Sequence, residues 1–186
     1  SRGVKAKAIA SRRRNLVGVN NYPNVQEKTS TVREPAPLHG NRFSSVRLAE
    51  PFEAIRARTA AYAQQTGRYP VVLLLKRGDV KMKMARANFC MNFFGCAGFD
   101  IVESEEMVDA DLIILCSSDP EYVTFAQDVC PKAKAPVLVA GNPKEQIAAL
   151  EAAGVQDFVH VLSNAVDTLT RWQDKLGMPQ SKEVRA

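Results

Sequence analysis

Five short runs rich in Val, Ile and Leu alternate with stretches of helical period between Val71 and Val161, and this alternation leaves few folds open. The expected strands are Val71–Leu75, Phe99–Val102, Asp111–Cys116, Val137–Ala140 and Phe158–Val161, with helices at about 82–97, 120–129, 143–153 and 163–176. Runs that are apolar at nearly every position suit strands covered on both faces, as a parallel sheet requires. Right-handed crossovers through the helices then give an α/β fold, a doubly wound five-stranded parallel sheet. Gly98, Gly154 and Gly177 fall where helix C-caps should be. The stretch "SEEMVDA" between the second and third strands is short for a crossover helix, so one or two turns at most are expected there.

Upstream, "EPFEAIRARTAAYAQQTG" reads as a helix: Pro51 suits its first turn, Phe52, Ile55, Thr59 and Tyr62 recur at helical spacing, and Gly67 ends it. Residues 23–50 contain Pro23, Pro35 and Pro37 with few apolar residues, and read as an extended linker. "NLVGVNNY" (15–22) reads as a short buried strand, and residues 1–14 as the end of a helix with a basic face. The chain therefore divides at residue 70, with 1–69 forming the end of an upstream domain, a linker and a helix, and 70–186 forming the α/β domain. It lacks an initiator Met and opens inside a helix-like pattern, as expected of a fragment of a longer protein.

Charge and cysteine content narrow the function classes. The net charge of +5 is uneven: residues 1–50 carry +7 and residues 51–186 carry −2. A basic arm can bind nucleic acid, but this one has little aromatic interleaving and no nucleic-acid motif, so an acidic partner surface or plain solvation is the better reading. No apolar run approaches the ~20 residues of a membrane helix. The opening "SRGVKAKAIASRRRN" lacks the apolar core of a signal peptide. Cys90, Cys96, Cys116 and Cys130 form no C-x-x-C and read as buried reduced thiols, which favours a cytoplasmic protein with no metal site.

"LLLKRGDVKMKMARANF" (73–89) has the strand–turn–helix form at which open α/β sheets bind ligands. The usual equipment is missing. The turn offers only Gly78, with no histidine and no Cys pair, and sets Lys76, Arg77, Lys81, Lys83 and Arg86 against Asp79. An anionic ligand at Lys81, Lys83 and Arg86 is one reading; a solvated basic edge or a salt-bridged interface is the other. A phosphoacceptor site would want acids at strand ends, where this chain has Lys76 and Cys116. Ser117, Ser118, Asp119 and His160 lack a G-x-S-x-G elbow. His160 reads as a strand histidine satisfied by hydrogen bonds, His39 as a solvated or partner-facing linker residue, and Glu105–Glu106 as a helix N-terminus. The helix at 82–97 carries two apolar stripes: Met82, Ala85, Phe89, Phe93 and Cys96, then Ala87, Cys90, Met91 and Phe94. A helix that only covers a sheet needs one. The N-terminal segment or another subunit should therefore pack on the second.

Taken in order, "NLVGVNNYPN", "FEAIR" and "GRYPVVLLLKRGDVKMKMARANFCMNFFGCAGFDIV" resemble the C-terminal half of the methylmalonyl-CoA mutases, over essentially the whole chain. The resemblance implies the end of an upstream barrel, a linker, and a flavodoxin-like domain of the cobalamin-binding kind. The family's cobalamin signature is D-x-H-x-x-G after the first strand, S-x-L after the third and G-G after the fourth. A neutral imidazole ligates cobalt, the Asp orients it, and the Gly leaves room for the nucleotide tail. Here Lys81 stands at the Asp position, Lys83 at the His position and Arg86 at the Gly position. Ser117, Ser118 and Asp119 replace S-x-L, and Gly141 is followed by Asn142. A protonated lysine has no lone pair for cobalt, and arginine has bulk where space is needed. The resemblance thus implies the family's non-catalytic small-subunit type, with no catalytic, cofactor-binding or metal residues of its own. Adenosylcobalamin is then expected on a partner large subunit, in a heterodimer that interconverts methylmalonyl-CoA and succinyl-CoA.

Overall fold

A computed structural model describes residues 2–13, 15–24 and 49–180. Strands β1 (Val71–Lys76), β2 (Asp100–Ser104), β3 (Leu112–Cys116), β4 (Val137–Ala140) and β5 (Val155–Val159) run parallel in the order β2-β1-β3-β4-β5. Leu73 stands beside Val102 on one side and Ile113 on the other. Helices α1 (Arg2–Ala10), α2 (Glu50–Thr66), α3 (Val80–Gly95), α4 (Tyr122–Val129), α5 (Ile147–Ala153) and α6 (Ala165–Lys175) cover the two faces.

The two-residue period of a strand splits the core in two. Val72, Leu74 and Ile114 point to one face, where they pack with Phe93, Phe94, Phe99 and Trp172. Leu73, Leu75 and Leu115 point to the other, against Tyr122, Phe125 and Leu150. Each of β1, β3 and β4 is buried along most of its length, which is why these strands read as unbroken apolar runs. No helix separates β2 from β3, as the short connection required.

The helix α2 joins this core. Phe52 and Ile55 are buried in the same cluster as Trp172. Gln173 Nε2 donates to Ile55 O at 2.7 Å and Thr59 Oγ1 at 2.8 Å, and Arg58 donates to Asp174 and to the carbonyls of Met178 and Pro179. From the N-terminal segment, Ile9 reaches the same cluster, and buried Asn20 ties the turn together by donating to Ile9 O (3.0 Å) and accepting from Leu16 N–H (2.7 Å). The stripe of α3 that carries Phe89 and Phe93 is covered from this side, with Arg12 lying over both rings, although Ala85 stays exposed.

Several sequence expectations shift. Residues 15–22 form a turn with one isolated Val17–Asn21 bridge, because Asn20 satisfies Leu16 locally instead of leaving it for a ladder. The helix α3 starts earlier than expected, at Val80, since the Asp79 carboxylate caps it by accepting from Met82 N–H at 2.8 Å. It ends at Gly95, so Gly98 lies in the turn beyond it; Gly154 caps α5 and the left-handed Gly177 closes α6 as expected, with Gly177 N–H donating to Asp174 O and Met178 N–H to Gln173 O. β5 begins three residues before Phe158 and stops at Val159, which puts His160 after the strand. Glu105 and Glu106 start no helix; they lie in the bend that leads straight to β3. His39 and most of the expected linker lie outside the described residues.

Candidate functional site

The C-terminal ends of β1 and β3 meet where the strand order reverses, the crevice at which open α/β sheets bind ligands. The turn after β1 brings Arg77, Gly78 and Asp79 beside Ser117, Ser118 and Asp119 from the turn after β3. Between them sits the carboxylate of Glu121. Its Oε2 accepts from Ser117 Oγ at 2.8 Å, from Ser118 Oγ, and from the backbone N–H groups of Ser118 and Asp79 at 3.3 Å each. The Ser118 and Glu121 side chains form a capping box over the short helical turn Asp119–Glu121. These donors hold the Glu121 carboxyl far below its ordinary range, at about 2: the Ser118 hydroxyl first, then Ser117, then the Asp79 N–H. Gly78 makes the fit possible. It has φ +80°, and a Cβ there would stand 2.2 Å from the Glu121 carboxylate oxygens.

The basic residues of the corner are drawn into ion pairs. Lys83 Nζ lies 2.6 Å from Glu105, Lys76 Nζ 2.9 Å from Glu103, and Arg77 2.8 Å from Asp128. Arg77 also stacks over Phe125 at 4.3 Å from the ring centre. Arg86 reaches Asp119 at 3.1 Å. Lys81 is exposed, and no ion pair holds it among the described residues. Lys83 and Arg86 therefore face carboxylates of their own chain, and the three cations of the sequence motif do not converge on an open space.

Arg86 also fills the far side of the crevice. A Cβ on Gly141 would stand 3.4 Å from the guanidinium carbon, and Arg86 Nε is buried with no hydrogen-bond partner among the described residues. Beneath it, Tyr122 Oη donates to Ala140 O and accepts from Ser117 N–H at 3.2 Å, tying β3 to β4. Burial raises the Tyr122 hydroxyl and the Cys90 thiol, the latter also through its contact with Cys116. These residues do not fit a cobalamin. Lys83, at the position of the axial imidazole in the resemblance, has no lone pair to offer and pairs with Glu105, and Arg86 stands where the signature has its glycine.

His160 is held outside the sheet. Its N–H donates to Ser163 Oγ at 3.0 Å, and its Nδ1 accepts from Leu162 N–H at 3.3 Å. Burial and nearby Arg86 lower its pKa. Among the described residues, no group of three or more His, Cys, Asp or Glu side chains is placed to hold a metal ion, and no helix is long and apolar enough to cross a membrane. Sequence reasoning missed Glu121, although Ser118-Asp119-Pro120-Glu121 carries the capping-box spacing that would have flagged it. It also gave no role to Arg12, whose partners are distant in sequence.

A parallel sheet in this order, with its switch-point crevice closed by its own side chains, defines a flavodoxin-like α/β domain whose ligand corner is filled from within. No protein-family model matches the chain. It is 35% identical, over 92% of its length, to a methylmalonyl-CoA mutase small subunit of Porphyromonas gingivalis. It is 30% identical over 94% of its length to that of Streptomyces virginiae, and 30% identical over 93% to a probable one of Mycobacterium tuberculosis. Along nearly all of its own length, then, the chain is homologous to methylmalonyl-CoA mutase small subunits. The matched regions make up 29–31% of those proteins, so the chain spans about a third of the length of the curated relatives it matches.

Proposed function

We propose that this chain is the C-terminal region of the non-catalytic small subunit of a heterodimeric methylmalonyl-CoA mutase. Its role is structural: it helps assemble the enzyme with a large subunit that carries adenosylcobalamin and the isomerisation of methylmalonyl-CoA and succinyl-CoA. It binds no cobalamin itself and works in the cytoplasm, where its four thiols stay reduced. The observation that carries this reading is the filled crevice, with Arg86 against Gly141 and Glu121 seated in the donor cradle of Ser117, Ser118 and Asp79. The relatives' names supply the partner class.

The alternative, a module that binds an anionic ligand at Lys81, Lys83 and Arg86, is the weaker reading. Ion pairs to Glu105 and Asp119 already neutralise two of the three cations.

Co-expression with a methylmalonyl-CoA mutase large subunit tests the proposal. The two chains are expected to co-elute in gel filtration, with the cobalamin absorbance following the large subunit. Separate elution of the two folded chains sinks the assembly role.

A further inference from the structure

The N-terminal turn and the segment after β5 enclose a cleft of about 200 Å³. One wall is the covered stripe of α3, Phe89 and Phe93, and the rim carries Arg12, Asn21, His160 and Ser163. The Arg12 guanidinium carbon lies 5.6 and 5.7 Å from the centres of the two rings, within cation–π range. Arg12 Nε donates to Asn20 O at 2.8 Å and Nη2 to Asn21 Oδ1 at 3.3 Å; Nη1 is uncommitted, and no carboxylate pairs with Arg12 among the described residues. Its backbone has φ 57°, a conformation that costs free energy in a non-glycine residue and that clusters at functional sites.

The other rim groups are donors too. His160 Nδ1 accepts from Leu162 N–H, so in the neutral ring the proton sits on Nε2, which can donate. Ser163 Oγ accepts from His160 N–H, which leaves its own hydroxyl hydrogen available. The cleft thus joins one cation without a carboxylate partner, two neutral donors and the half-buried ring of Phe89, without an acid on its rim among the described residues.

We propose that this cleft binds a small organic carboxylate, its oxygens on Arg12 with His160 and Ser163 as further donors, and its apolar body against the half-buried ring of Phe89. A single cation matches a single negative charge, and the aromatic wall offers an inorganic oxyanion nothing. A cavity of about 150 Å³ holds benzene, so a cleft of about 200 Å³ suits a ligand about the size of benzoate.

The test is a titration of the ¹⁵N-labelled chain with sodium benzoate at constant ionic strength, with inorganic phosphate as the second arm. Saturable shifts are expected at the amides of Phe89, His160 and Ser163, and Arg12→Gln should weaken binding roughly tenfold through loss of a charge-assisted pair. Should Arg12→Gln fail to fold, Ser163→Ala carries the same test, with a weakening of about threefold, the worth of one neutral hydrogen bond. Shifts that never saturate overturn the proposal, as does unchanged affinity in the folded variants. Saturation of the same amides by phosphate at lower concentration overturns the carboxylate assignment.

Discussion

The guanidinium of Arg86 lies over the backbone of Gly141, where a methyl group on the glycine would stand 3.4 Å from the guanidinium carbon, in van der Waals contact. Gly141 also has φ +153°, in a region that side-chain-bearing residues rarely adopt. That backbone conformation acts against Gly141→Ala, while the contact with Arg86 leaves a methyl group room. The substitution is expected to destabilise the chain by about 1–3 kcal/mol, read as a lower urea midpoint with an unchanged slope.

The proposed function implies that the chain takes up no cobalamin. An absorbance titration with hydroxocobalamin should give no spectral shift, and no colour should follow the protein through gel filtration. Tight retention with an altered spectrum would mean that the corner works without an imidazole at position 83, and the non-catalytic assignment would fail.

Glu121 should leave a signature in the pH dependence of stability. Its carboxyl is held at about 2 in the folded chain against an ordinary value of 4.5, chiefly by Ser118 and then Ser117. A depressed carboxyl stabilises the fold above its unfolded value, and that contribution fades as the pH falls from about 4.5 towards 2. Glu121→Gln should therefore melt below the parent at pH 7, and the two melting temperatures should converge near the acid end. A gap that is constant with pH would assign the loss to shape instead of charge.

Thiol chemistry probes the core. Cys90, Cys96 and Cys116 are buried and Cys130 is partly exposed. Burial raises the Cys96 thiol to about 11, and that of Cys130 more modestly. At pH 8 in native buffer, an aromatic disulfide reagent should report no more than the Cys130 thiol, and all four after denaturation. Rapid reaction of a second thiol would show that the core around α3 opens.

Much of this was legible in the sequence because burial on both faces writes itself plainly. β1, β3 and β4 are apolar at nearly every position, and their order along the chain permits few topologies. β5 was harder to place. It lies at the sheet edge, and its Gln156 and Asp157 interrupt the apolar run; the Asp157 carboxylate is drawn to the Trp172 indole N–H at 2.9 Å. That interruption moved the expected strand onto His160. The basic motif showed its cations, but not the carboxylates that meet them. Glu105, Asp119 and Glu121 reach Lys83, Arg86 and Asp79 only once the sheet brings separate turns together.

The seating of Glu121 has a bearing on supply. A domain completed by a dissolved ligand gains stability in proportion to the logarithm of that ligand's concentration. Here the anion in the cradle is three residues from Ser118, so its effective concentration is fixed by the chain itself. A chain that carries its own occupant keeps the same stability whatever the supply of dissolved anions around it.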